Sequence, residues 1–155
     1  MTGTVERKLA ALGITLHEPP EPIANYVPFA HSGSLLFISG QLCFDAEGKM
    51  VASGKLGATV SIEQGAAAAK ACAVNILAQV KAAIGDLDNV VRVIRLGGFI
   101  NSTPDFVDGP KVLNAASDLM VEIFGTRGRH TRTTVGVAAL PANAAVEIEA
   151  LFEVE

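Results

Sequence analysis

Residues 61–85 restrict the fold more than any other stretch of the chain. Ser61-Ile62-Glu63-Gln64 has the form of a capping box, in which the Ser accepts from an orphan N–H of the first turn and the residue three places on reaches back. Gly85 offers a left-handed stop, and between them Ala69, Ala73, Ile76, Val80 and Ile84 fall on one stripe. Small side chains on the covering face let a helix approach its support closely. The spacing therefore predicts a long helix lying flat against strands.

The strands are found on either side of it. Tyr26–Ala30 and Leu35–Leu42 are apolar runs joined at His31-Ser32-Gly33-Ser34, a plausible hairpin. Val90–Ile100 is dense in β-branched residues. Asp108 and Pro110 open a second helix through Lys111–Phe124, closed by Gly125. Thr131–Leu140 and Ala145–Val154 then alternate as two strands around Pro141-Ala142-Asn143-Ala144, which reads as a hairpin connection. The order β-β-α-β-α-β-β predicts an α+β fold, with two helices on one face of a mostly antiparallel mixed sheet. A single domain over residues 1–155 is expected. Within it, residues 1–25 form an N-terminal extension: a short helix with Val5, Leu9 and Leu12 on one face, then a segment in which Pro19, Pro20 and Pro22 exclude both helix and central strand.

Composition narrows the function. The net charge is −4 and the twelve Lys and Arg are scattered, so the basic footprint of a nucleic-acid binder is missing. The N-terminus is charged where a signal peptide needs an apolar core, and no membrane association is expected. Cys43 and Cys72 suggest neither a disulfide framework nor a zinc site, which fits a cytoplasmic setting. The apolar share of 50% exceeds what a domain of this size needs for its own core, a hint of self-association.

Arg132 and Glu147 stand out because each interrupts a strand that otherwise reads as core. Solvated faces of an antiparallel sheet would explain both. With Leu140 opposite Ala145 in a hairpin, however, the two side chains lie about six residues apart, or roughly 20 Å at about 3.3 Å per residue. One chain could not easily join them, so a shared pocket is expected between neighbouring subunits. A guanidinium there suits a small carboxylate, which its planar fork can grip with two parallel bonds.

The run Thr131-Arg132-Thr133-Thr134-Val135-Gly136-Val137-Ala138-Ala139-Leu140-Pro141, followed by Val146-Glu147-Ile148-Glu149-Ala150, resembles the C-terminal motif of the Rid/YjgF family of reactive-intermediate deaminases. Leu36-Phe37-Ile38-Ser39-Gly40-Gln41-Leu42 and Asn25-Tyr26-Val27 extend the resemblance, which covers roughly residues 20–155. It implies a chorismate-mutase-like fold assembled as a homotrimer, with clefts between subunits. These clefts hydrolyse enamines and imines of the 2-iminobutanoate/2-iminopropanoate kind to ammonia and a 2-keto acid, without metal or organic cofactor. Carried over, Arg132 would clamp the substrate carboxylate and Glu147 would position or activate water. Tyr26, Ser39, Gly98, Asn114 and Thr134 would bind substrate. A non-catalytic module that binds small carboxylates and regulates a partner is the rival expectation.

The chain departs from the family pattern at His130, Thr133 and Thr134 around the arginine and at Asn25 before the tyrosine. A longer second helix region leaves the helix-borne pocket position open between Asn114 and Ser117. These features mark a divergent, longer subgroup. His130, beside Arg132, is a candidate for tuning pH dependence. Cys43 is expected to share a face with Ser39 and Gln41 as packing, Cys72 to lie in the core, and Gly97-Gly98 to mark a bulge or a close backbone approach.

Overall fold

The computed structural model describes residues 3–22 and 24–155; Met1, Thr2 and Ile23, which belong to the expected N-terminal helix and proline segment, lie outside the described residues. Three helices, α1 (Thr4–Ala11), α2 (Ile62–Ile84) and α3 (Gly109–Phe124), accompany five strands, β1 (Phe29–Ser32), β2 (Leu35–Leu42), β3 (Val90–Asn101), β4 (Thr131–Val137) and β5 (Val146–Val154). The strands form one sheet in the order β1-β2-β5-β3-β4. All neighbours are antiparallel except β3 and β4. The α+β expectation thus holds.

Both expected helices form. The capping box at Ser61 is complete, with Gln64 N–H donating to Ser61 Oγ at 3.1 Å and Ser61 N–H donating to Gln64 Oε1 at 2.8 Å. By length and composition alone α2 could cross a bilayer, but its apolar stripe is laid on the sheet, with Ala69, Ala73, Ile76 and Val80 fully buried. Leu36, Val93, Leu96, Ile100, Ile148 and Phe152 meet the helices from the sheet side. Among the described residues the opposite face carries no helix, and Phe37 and Val135 are exposed there. Cys43 and Cys72 are buried free thiols, and Cys72 Sγ donates to the Val146 carbonyl. A register shift between Ile38 and Gln41 takes Cys43 off the face on which simple alternation had placed it with Ser39.

The expected C-terminal hairpin does not form. β4 pairs with β3 in parallel, while β5 pairs with the other side of β3, so the chain between them crosses over the end of β3. Polar groups stitch that crossing. Buried Asn101 Nδ2 donates to Asn143 Oδ1 and the Ala144 carbonyl, both at 3.1 Å, and Lys55 Nζ donates to Asn101 Oδ1 at 2.7 Å and to the Ala138 carbonyl. Alternation assigns each residue to a face and says nothing about which strand lies beside it. Elements also shift at their ends: the first strand begins at Phe29, leaving Tyr26 in a bend, and Leu12 ends α1 at the surface with 38% exposure.

The bulges of β3 fall nearer its start, at Val90/Arg92 and Val93/Arg95, and not at the glycine pair. Gly98 is instead a close approach: a methyl group there would overlap the Leu113 side chain of α3. Leu113 is itself buried and cannot swing aside. Gly98→Ala should therefore destabilise the fold by about 1–3 kcal/mol, the usual cost of overpacking. Thermal unfolding should show a lowered Tm, and the double variant with Leu113→Ala should lose less than the two single losses added together; an unchanged Tm for Gly98→Ala would contradict this packing role.

Candidate functional site

Arg132 projects from the edge strand β4 toward α3, because its register partner on β3, Leu96, faces the helices. Its Nη1 donates to Asn114 Oδ1 at 2.9 Å and to Ser117 Oγ at 3.2 Å. Asn114 and Ser117 are three residues apart and share one helix face, so the two alternatives for the helix-borne position are both occupied by arginine contacts. That spacing was the available signal. The remaining guanidinium donors make no hydrogen bond among the described residues, which leaves Arg132 oriented but able to grip an anion.

His130 completes this group. Its Nδ1 faces the Gly128 carbonyl at 2.6 Å and its Nε2 faces Ser117 Oγ at 2.9 Å. With the Nδ1 proton donated to the carbonyl, Nε2 accepts from the Ser117 hydroxyl, and that hydroxyl accepts from Arg132. Burial, then repulsion from Arg132, pulls the His130 pKa below 6.5, while the Gly128 carbonyl opposes the shift. An open pocket of roughly 580 Å³ lies here, with Ser117, Asp118 and Glu122 of α3 and Arg129, His130 and Arg132 among its lining residues. The Ser117–His130 pair was not legible as a unit in sequence, since a helix and a strand lead-in supply its two halves.

Glu147 belongs to a second group. Its register partner Phe99 lies on the helix-free face, and there the carboxylate packs over Gly40, where a methyl group would come within 2.6 Å of Oε2. Ser39 Oγ donates to the Val27 carbonyl at 2.8 Å and so ties the segment carrying exposed Tyr26 to β2. Burial, followed by the nearby charge of Glu149, raises the Glu147 pKa above 4.5. This moves a proton acceptor toward the range where it can both take and return a proton near neutrality.

The expected site residues therefore separate into two clusters, Arg132 with Asn114 on one face and Glu147 with Ser39 and Tyr26 on the other. Along β3 their register positions differ by three residues, and two strand spacings intervene, roughly 14 Å in all. The hairpin estimate of the distance is replaced by a stronger separation, because the sheet itself stands between them. Thr134 lies two residues beyond Arg132 on the same face of β4, with a buried Oγ1 that has no hydrogen-bond partner among the described residues. Gly98 is covered by Leu113 and belongs to the packing of α3.

This sheet and helix arrangement defines an α+β protein of the chorismate-mutase-like class. Residues 6–154 match the family described as "YjgF/chorismate mutase-like, putative endoribonuclease". The chain is 46% identical over 153 residues to Protein TCP17 of Trypanosoma cruzi, covering 98% of this chain and 95% of that protein. It is 30% identical to a 2-iminobutanoate/2-iminopropanoate deaminase of Dermatophagoides farinae, covering 88% and 91%. Among solved structures, Atu1372 of Agrobacterium tumefaciens, a protein of unknown function, is similar with a TM-score of 0.90 and 48% identity over 98% of this chain and 94% of that one. The chain belongs to the Rid/YjgF family, and the likeness reaches into α1, further than residues 20–155.

A raised carboxyl pKa is also a statement about stability. The fold favours protonated Glu147, so its contribution is fullest below 4.5 and is lost as pH rises through the raised value. Glu147→Gln cannot ionise, and should melt higher than wild type near neutral pH but alike well below 4.5. Paired thermal melts at the two pH values check this, and an equal difference at both would count against it.

Proposed function

We propose that this protein hydrolyses small enamines or imines that carry a carboxylate, releasing ammonia and a 2-keto acid, at sites formed between the subunits of a homotrimer in the cytoplasm. One observation carries the reading: Arg132 and Glu147 sit on opposite faces of one sheet, so a site using both needs the Arg132 cluster of one copy and the Glu147 cluster of another. The helix-free face, with exposed Phe37 and Val135, offers an apolar surface for such assembly. The likeness to an imine deaminase supports the choice of chemistry.

The steps follow from the groups present. Arg132, held by Asn114 and Ser117, binds the substrate carboxylate and fixes the imine carbon. Glu147 accepts a proton from water as the water oxygen bonds to that carbon, and the C=N electron pair moves to nitrogen, which takes up a proton. Glu147 then returns its proton to the amine as the C–N bond breaks and the hydroxyl releases its proton to solvent, which replaces the one that nitrogen took from solvent, leaving ketone, ammonia and ionised Glu147. An enamine enters the same route after protonation at carbon. The imine carbon is already electrophilic, so orientation and one well-placed base supply much of the rate.

Semicarbazide trapping of imines generated by an amino-acid oxidase provides the assay. Wild type should outcompete the trap, whereas Arg132→Ala and Glu147→Gln should each lose at least about a hundredfold of that activity, the scale of a general acid–base contribution. Co-refolding the two inactive variants should restore about a quarter of the sites by random assortment around a closed ring. No restoration, or a monomer by light scattering, would overturn the shared site. Retained carboxylate binding with no turnover in wild type would favour the regulatory binding module.

A further inference from the structure

We propose that a second ligand site, for a small amine with an apolar body, lies on the helix side of β2 beneath the proline segment. A cavity of roughly 680 Å³ opens there, distinct from the Arg132 pocket, and it borders the Glu147 cluster at Tyr26, Gly40 and Leu42. The strongest sign of a ligand is Gln79. It stands on the core-facing side of α2, 4% exposed, and lines this cavity, yet its Oε1 has no hydrogen-bond partner among the described residues. His17 Nδ1, buried in the same wall, is likewise unpartnered.

Gln79 contrasts with Asn101, another buried amide, which has both ends engaged. A buried polar atom left without a partner costs about 1–3 kcal/mol, so two in one cavity wall point to an occupant that satisfies them. A carbonyl oxygen asks for a donor. The rest of the wall is mainly apolar, with Leu42, Phe44 and the ring of Pro20 among its surfaces. Its charged residues are Glu21, Asp45 and Glu47, without a Lys or Arg, so the cavity repels anions and accepts cations. Apolar walls, an acceptor and an acidic rim together describe an amine with a hydrocarbon body. The carboxylate-seeking Arg132 pocket has the opposite preference, and this inference stands whether or not that pocket is catalytic.

Phenethylamine and 3-phenylpropionate, which share an aromatic body and differ in charge, are the probes. Each is titrated into the full-length protein while amide chemical shifts are followed by NMR. Phenethylamine should give saturable shifts centred on residues 42–48 and 75–79, with binding at least tenfold tighter than that of 3-phenylpropionate at the same residues. Gln79→Leu should weaken the amine at least tenfold, and Arg132→Ala should leave it unchanged. Should Gln79→Leu not fold, Phe44→Ala on the cavity rim takes its place, with weakened amine binding expected. The absence of saturable shifts, which would leave the orphan atoms to ordered water, overturns the proposal. So does a preference for the carboxylate, or amine binding indifferent to the Gln79 or Phe44 variant that folds.

Discussion

The position of β3 governs the rest of the molecule. It accepts β5 on one side in antiparallel pairing and β4 on the other in parallel pairing. A parallel neighbour requires a crossover, and α3 supplies it. The helix must then lie close over β3, which Gly98 allows by leaving room for Leu113. That close approach brings Asn114 and Ser117 to the edge strand, where they meet Arg132. The orientation of the cationic group is thus a consequence of how a helix rests on a glycine one strand away.

Much of this could be read in the residues. The capping box and Gly85 bounded α2 correctly, and Asp108, Pro110 and Gly125 bounded α3. The strand pattern also identified which side chains share a face. Strand partnership was legible for the first hairpin, where β1 pairs with β2, but not for β4 and β5, because the decisive contacts there join Lys55, Asn101 and Asn143, residues far apart in sequence whose side chains have no periodicity to reveal them. The turn at Pro141–Asn143 looked like a hairpin because its local chemistry is that of a turn; only the Asn101 cluster shows that the turn passes over a strand.

The same limit applies to the site. Arg132 and Glu147 were identifiable as unusual strand residues, and the inference that one chain cannot join them survives with a different cause: the faces of the sheet and not the length of a hairpin. Asn114 and Ser117 were individually visible as alternatives, whereas their joint use depends on the side of α3 that faces β4. His130 illustrates a further point. Its two ring nitrogens are held by Gly128 and Ser117, so the imidazole is part of the scaffold that orders the arginine as well as its electrostatic neighbour. Glu147, by contrast, has burial and a second carboxylate working against its ionisation. The two clusters carry opposite electrostatic character on one rigid sheet.

Asp88, in the short turn between α2 and β3, accepts from the Thr4 and Val5 amides at 2.8 and 2.9 Å and so caps α1 across 84 and 83 residues of sequence. With the Lys81–Glu6 ion pair at 2.9 Å, these contacts tie the first helix to residues far along the chain. During synthesis α1 therefore emerges long before its cap exists, and such distant closures are entropically slow. The opening segment is thereby seated by a turn and a helix that the rest of the chain must supply.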